Sequence, residues 1–270
     1  DSGDSGDTGP LGVTSTSDTG GTAVDSDRLV GGTYGFDDDC DGVIDDDALL
    51  AGDVIVTEIN NNSSAGGTAE LWNGDSGWFE IYNTSELEWT LDNWAFAICR
   101  MSSSAAEPPT WSDCDAIEEF AIAPDALLTI EPGERIVLCR NEAIFDDPTA
   151  CDYTYGSDGT WVGETDADVA YLNGSAYLEP SAGALAVISG GAYADTETHT
   201  LDEVIWYSPS DGSSLWPNTL TASMCLPTAL EDSVENDDAG SWGTSSASAV
   251  WASSPENNTG SPGEENTTCN

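Results

Sequence analysis

Lysine is absent from this chain of 270 residues, histidine occurs once, and four arginines stand against 51 Asp and Glu, leaving a formal net charge of -47. Such a surface repels phosphate polyanions and anionic lipid headgroups, so nucleic acid and polybasic membrane docking drop out and cations become the natural partners. No run of about 18 apolar residues exists, which excludes a membrane-spanning helix and with it membrane insertion. None of the seven cysteines forms a CxxC pair, and a single histidine leaves a zinc site short of ligands. No lysine follows any glycine-rich stretch, so phosphate loops are missing. His199, in TETHTLDE with Asp202 close by, has no GxSxG elbow to serve and reads as a surface or pairing residue. The expectation is a protein without catalytic activity.

The acidity does not extend to a wholly unfolded chain. Hydrophobic residues make up 39%, and ten Trp, eight Tyr and five Phe are more aromatic mass than a solvated acidic tail carries. All the tryptophans fall between Trp72 and Trp251. Cysteines spread singly through turn-rich, aromatic sequence suit disulfides in an exported protein. Nearest-neighbour pairing suggests Cys99–Cys114, Cys139–Cys151 and Cys225–Cys269, one of fifteen connectivities that sequence alone leaves open. Cys40 is then the odd thiol, free or bridged to another molecule. The chain opens at Asp1 with no basic and apolar leader, so the expected location is extracellular or at the cell surface, with an export signal removed.

Composition changes near residue 48. Residues 1–47 are Asp, Ser, Gly and Thr, with thirteen Asp and neither Glu nor Trp, and DSGDSGDTG at 1–9 is an imperfect repeat of the solvated kind. Two readings stand for this acidic segment: a spacer before a folded head, or a segment ordered by calcium or by a groove on another copy of the chain. LGVTSTS at 11–17 and TAVDSDRLV at 22–30 are the stretches suited to added strands. At 37–47 seven carboxylates fall within eleven residues. Calcium takes six to eight oxygens at about 2.3–2.6 Å from alternating positions around a sharp turn. Asp37, Asp39 and Asp41 supply the alternation, Gly42 the turn, Val43 a carbonyl, and Asp45, Asp46 and Asp47 the closing oxygens. Ala48 at position twelve and the missing flanking helices depart from an EF-hand. The segment resembles the DxDGVxD loops of thrombospondin type 3 repeats and the DNDCDGxxDE metal-binding motif of myxobacterial surface proteins, in a single copy. Calcium is the expected cofactor.

From residue 48 to 270 the pattern is period-two alternation. DVIVTEIN (53–60), WFEIYN (78–83), WAFAICR (94–100), ALLTI (126–130), RIVLCR (135–140), DVAYLN (168–173), ALAVISG (184–190) and LDEVIWY (201–207) are short, β-branched or aromatic, and bounded by turn residues. Eight such segments without a capped helical period predict an all-β antiparallel sandwich. Residues 101–119 read as a long loop pinned by Cys99–Cys114. Glu58 and Glu80 are expected to cap backbone amides or meet a scarce arginine at the sandwich end. The competing reading is a carboxylate pair of the glycosidase kind. Trp72, Trp78, Trp89 and Trp94 are expected in core and rim packing in preference to a sugar platform.

The segments EIN and GWFEIYNTSELEWTLDNWAFA, followed by IEPGERIVLC (130–139), DADVAYLN (166–173) and LDEVIWYSPSDGSSLWP (201–217), resemble a bacterial lamin tail domain. ENDDAGSWGTSS (235–246) and NNTGSPGEEN (257–266) resemble the ND…W and TPGxxN closures of its exported forms. The resemblance covers about 53–266 and implies an immunoglobulin-like β-sandwich with no shared active site. The expected role is therefore an extracellular structural or adhesion protein stabilised by calcium, with head-to-tail assembly of copies into a surface filament as its most specific form. The alternative is a carbohydrate- or ligand-binding module of a secreted or surface-anchored system.

Overall fold

In the computed structural model the chain divides into Asp1–Ala48 and Leu49–Asn270. The structure describes residues 49–270 without 62–76, 102–109, 124–125, 141–144, 146–147, 156–168, 174–177, 179–181, 190–198, 208–215, 218–221, 233 and 248–258, and without the side chains of 169–173 and 199. The acidic segment and its proposed calcium ligands lie outside these residues.

Strands follow the apolar alternation except in ALLTI, where only Thr129–Ile130 is strand and Leu127, at φ 53°, is exposed where the backbone turns. They are β1 Val54–Asn60, β2 Trp78–Asn83, β3 Trp89–Thr90, β4 Ala95–Arg100, β5 Ala116–Ile122, β6 Thr129–Ile130, β7 Arg135–Cys139, β8 Tyr153–Thr154, β9 Val169–Asn173, β10 Ala182–Ser189, β11 His199–Tyr207, β12 Met224–Cys225 and β13 Gly243–Thr244. Helical structure among the described residues is limited to single 3-10 turns at Trp111–Asp113, Pro148–Ala150 and Thr228–Leu230. Six strands form one sheet in the order β13-β12-β1-β2-β7-β8, five form a second in the order β11-β10-β4-β5-β9, and β3 pairs with β6. Among the described residues every pairing between these strands is antiparallel except β7 with β8. The fold is an all-β antiparallel sandwich.

The two main sheets enclose one core. Val56, Ile59, Phe79 and Ile81 from the first sheet join Phe96, Ile98, Phe120, Leu185, Val187 and Val204 from the second. Rings bridge the layers: Phe79 and Phe96 have centroids 5.4 Å apart, and Tyr155 stacks on Phe120 at 4.4 Å. Burying each such side chain contributes about 2–3 kcal/mol.

Two β-bulges position the polar groups discussed below. Val56 lies opposite Ile81 but Glu58 opposite Glu80, so Thr57 is an extra residue in β1. Opposed residues share a face, and the extra residue inverts the alternation. Val56 and Ile59 thereby meet Ile81 and Phe79, while Glu58 joins Glu80. In the second sheet Val187 pairs with Asp202 and Ile188 with Thr200, leaving Leu201 as the extra residue.

The loop expected over 101–119 is corrected as well. Residues 101–119 are not a loop throughout, because β5 begins at Ala116 and pairs with β4 along its whole length. The adjacent carboxylates Glu118 and Glu119 interrupt the apolar alternation, yet both are buried. Arg100, opposite the start of β5, reaches Glu118 at 3.1 Å and makes that burial tolerable.

Candidate functional site

The three disulfides are Cys99–Cys114, Cys139–Cys151 and Cys225–Cys269, the nearest-neighbour arrangement, and Cys40 lies outside the described residues. They indicate folding in an oxidising compartment. No helix among the described residues is long and apolar enough to cross a membrane. Among the same residues no cluster of His, Cys, Asp and Glu has the arrangement of a metal site.

Of the four tryptophans singled out, Trp78 and Trp94 are buried in the body, and Trp89 is half-buried with its indole N–H donating to Ser85 Oγ at 2.8 Å. Trp72 lies outside the described residues. His199 opens β11 opposite Ser189. Asp202, its neighbour in sequence, is turned into the sandwich. Asp202 Oδ2 accepts the Val56 N–H at 2.7 Å and the Asn236 side-chain N–H at 2.7 Å. Burial pushes this carboxyl up to about 7. An acid so placed fastens β11 to β1 where β12 no longer flanks it.

Among the described residues a buried polar cluster is built around Glu58 and Glu80, cross-strand neighbours on β1 and β2 that are both 0% exposed. Glu58 accepts hydrogen bonds from Ser223 Oγ, from the Ser261 N–H at 3.0 Å and from Ser261 Oγ at 3.0 Å. Glu80 accepts from Thr57 Oγ1 at 2.7 Å and from the Gly263 N–H at 2.8 Å. Arg135 Nε lies 3.4 Å from Glu80 as an ion pair without hydrogen-bond alignment, and its Nη2 meets Glu231 at 2.5 Å. Its guanidinium also sits over the Tyr82 ring, 4.2 Å from the centroid. Desolvation raises Glu58 to about 7, with its hydrogen bonds opposing the rise. Desolvation also holds Glu80 well above the ordinary range, and the Glu58 charge adds to it.

Both capping and arginine pairing are therefore realised at these carboxylates. A glycosidase-type pair needs one group to protonate a leaving oxygen and the other to reach a sugar carbon or a water. Here the oxygens face Ser223, Ser261, Gly263, Thr57 and Arg135 of the chain itself. What the arrangement does is hold the segment 259–266 against the outer face of the first sheet. Asn266 completes it, donating from Nδ2 to the Thr57 carbonyl at 3.2 Å and accepting from Ser261 Oγ at 2.7 Å.

Ser223, Ser261, Gly263 and Asn236 were not singled out as individual site residues, though three of them lie inside quoted motifs. Ser261, Gly263 and Asn266 belong to NTGSPGEEN, and Asn236 and Trp242 to ENDDAGSW, where the Trp242 indole N–H donates to the Asn236 carbonyl at 2.7 Å. Segments far apart in sequence are thus partners in space. Ser223 gave no signal, since nothing in TASMC marks a buried hydroxyl.

No protein-family model matches the sequence, and no curated protein matches it. Among solved structures, a DUF4876 family protein from Bacteroides thetaiotaomicron aligns with 12% identity and a TM-score of 0.43, over 66% of this chain and 63% of that one. The chain thus spans somewhat less than two thirds of that protein.

Proposed function

We propose that this chain is a non-catalytic structural or adhesion module of an exported protein at the cell surface or outside the cell, stabilised by calcium and able to join copies of itself head to tail. The observation that carries the reading is the fate of the buried carboxylates. Glu58, Glu80 and Asp202 are held by amides and hydroxyls of their own fold, which supports a role in rigidity over one in turnover. Three disulfides in the body favour the same use, as they fit a module exposed to an oxidising exterior.

Calcium enters through the acidic loop. Asp37, Asp39, Asp41, the Val43 carbonyl and Asp45, Asp46 and Asp47 would hold it, and the ion would cancel the mutual repulsion of seven carboxylates. Isothermal titration calorimetry on the full chain tests this. A saturable calcium heat is expected that persists in about 0.5 M sodium chloride and vanishes when Asp37, Asp39 and Asp41 are changed to Asn. A heat that disappears with salt alone, or survives the triple substitution, rejects the site. Negative-stain microscopy with calcium and with chelator then tests assembly: particles without polymer in both would remove the filament form.

A further inference from the structure

We propose that Glu58 and Glu80 form a proton-held latch that keeps the segment 259–266 seated on the first sheet and lets it lift as the solution becomes alkaline. The argument begins with charge. Glu58 and Glu80 are fully buried, Glu231 contributes a third side chain only 4% exposed, and Arg135 is the cation that pairs with two of them. Three ionised carboxylates against one guanidinium would leave two buried negative charges, an arrangement strongly opposed by desolvation. At least one proton therefore stays with the pair while the segment is closed.

The other groups around the pair do not supply a second cation. Thr57 on β1, Ser223 before β12, and Ser261 and Asn266 on the segment are neutral, and Tyr82 on β2 packs under Arg135. Glu134 beside Arg135, and Glu264 and Glu265 on the segment, are exposed and add only negative charge. Removing the proton makes both members of the pair anionic, and like charges on directly opposed positions of two strands repel. The cheapest relief is hydration of the pair. Water reaches it if the backbone around Ser261 and Gly263 moves, because those two amides roof the carboxylates.

Geometry restricts that motion to the segment. Thr259 is bridged to Ala222, the Ser223 N–H donates to the Thr259 carbonyl at 3.0 Å, and Cys269 is bonded to Cys225. Pinned at both ends, 260–266 can open as a local unit while the sandwich stays folded.

Amide hydrogen exchange by NMR on the full chain, with disulfides intact, reads the latch directly. Protection factors of the Ser261 and Gly263 amides are compared with those of Phe79 and Val187 at about pH 5.5 and about pH 8.5, after correction for intrinsic exchange. A group near 7 when closed and near 4.5 when open predicts about a thirtyfold loss of protection at Ser261 and Gly263 over that interval. Phe79 and Val187 report global unfolding, which exposes the same pair and Asp202, so their protection also falls with pH, but it should stay well above that of Ser261 and Gly263 at both values. Glu58→Gln and Glu80→Gln should each flatten the dependence. Protection at the segment equal to that at the core, no loss at the segment, or an unaltered slope in both variants overturns the proposal. If neither variant folds, the side-chain carboxyl carbon shifts of the wild type decide. Titration of the pair with the same midpoint as the loss of protection is expected, and a midpoint in the ordinary carboxylate range rejects the latch.

Discussion

The Asp202 carboxylate lies between two layers, accepting an amide of the opposite sheet and one from the Asn236 side chain, and its sensitivity to pH follows from that position. Its pKa is raised from 3.8 to about 7 by burial, so the folded chain keeps a proton that the unfolded chain has already lost. The stabilising contribution is therefore complete below pH 3.8 and is lost as pH rises through 7. Between about pH 5.5 and 8.5 the loss at this one group is about 2 kcal/mol. Asp202→Asn should remove it, because a neutral amide still accepts from Val56. Asn236 Oδ1, buried without a hydrogen-bond partner, can then turn to accept the new N–H. Urea denaturation at the two pH values is expected to show the variant within about 1 kcal/mol of wild type at the lower pH and more stable at the higher. A variant destabilised equally at both would mean that the oxygen, not its proton, is what matters. Gly183 offers a second residue-scale test. A Cβ there would stand 2.7 Å from the Trp206 ring and 2.8 Å from the Cys99 carbonyl, so Gly183→Ala should cost about 1–3 kcal/mol in the same assay.

At the level of elements, most strands lie where apolar residues alternate between turn signals, and WFEIYN corresponds to β2 residue for residue, whereas ALLTI is strand only at Thr129–Ile130. Legibility fails where burial is achieved by pairing charges. AIEEFAI carries two carboxylates at its centre and looks like loop, although Arg100 and the β4 partner make it a buried strand. It fails again for two-residue strands such as β12 and β13, whose existence depends on neighbours more than on their own residues. The candidate site was half visible: Glu58 and Glu80 stand out as acids inside apolar strands. Their partners Ser223, Ser261 and Gly263 lie more than 140 residues away and no local pattern links them. The disulfides tie such distant pieces, and their worth scales with the loop closed. Cys225–Cys269 spans 44 residues and Cys139–Cys151 spans 12. Replacing both cysteines of the first pair by serine should cost about 4 kcal/mol, against about 3 kcal/mol for the second. Paired denaturation curves would show the order, and a reversal would mean that residual structure in the unfolded chain outweighs loop entropy.

For the whole molecule the dominant quantity is the net charge of -47, carried with only four arginines to offset it. Each repulsion between charges in water is small, but the sum opposes compaction at low ionic strength. In the interior it is burial that raises Glu58 and Asp202 into a range where they hold protons, while Arg100 and Arg135 each pair with a buried acid. With the Debye length falling from about 30 Å at 0.01 M to about 3 Å at 1 M, added sodium chloride should raise the denaturation midpoint steadily. Calcium occupying the acidic loop would neutralise part of the same field, so the calcium-loaded chain should respond less steeply to sodium chloride than the chelator-treated one. Equal slopes in the two states would separate the loop electrostatically from the rest of the chain. A midpoint indifferent to salt in both would mean that the surface carboxylates are too dispersed to repel, and that the acidity bears on solubility without affecting stability.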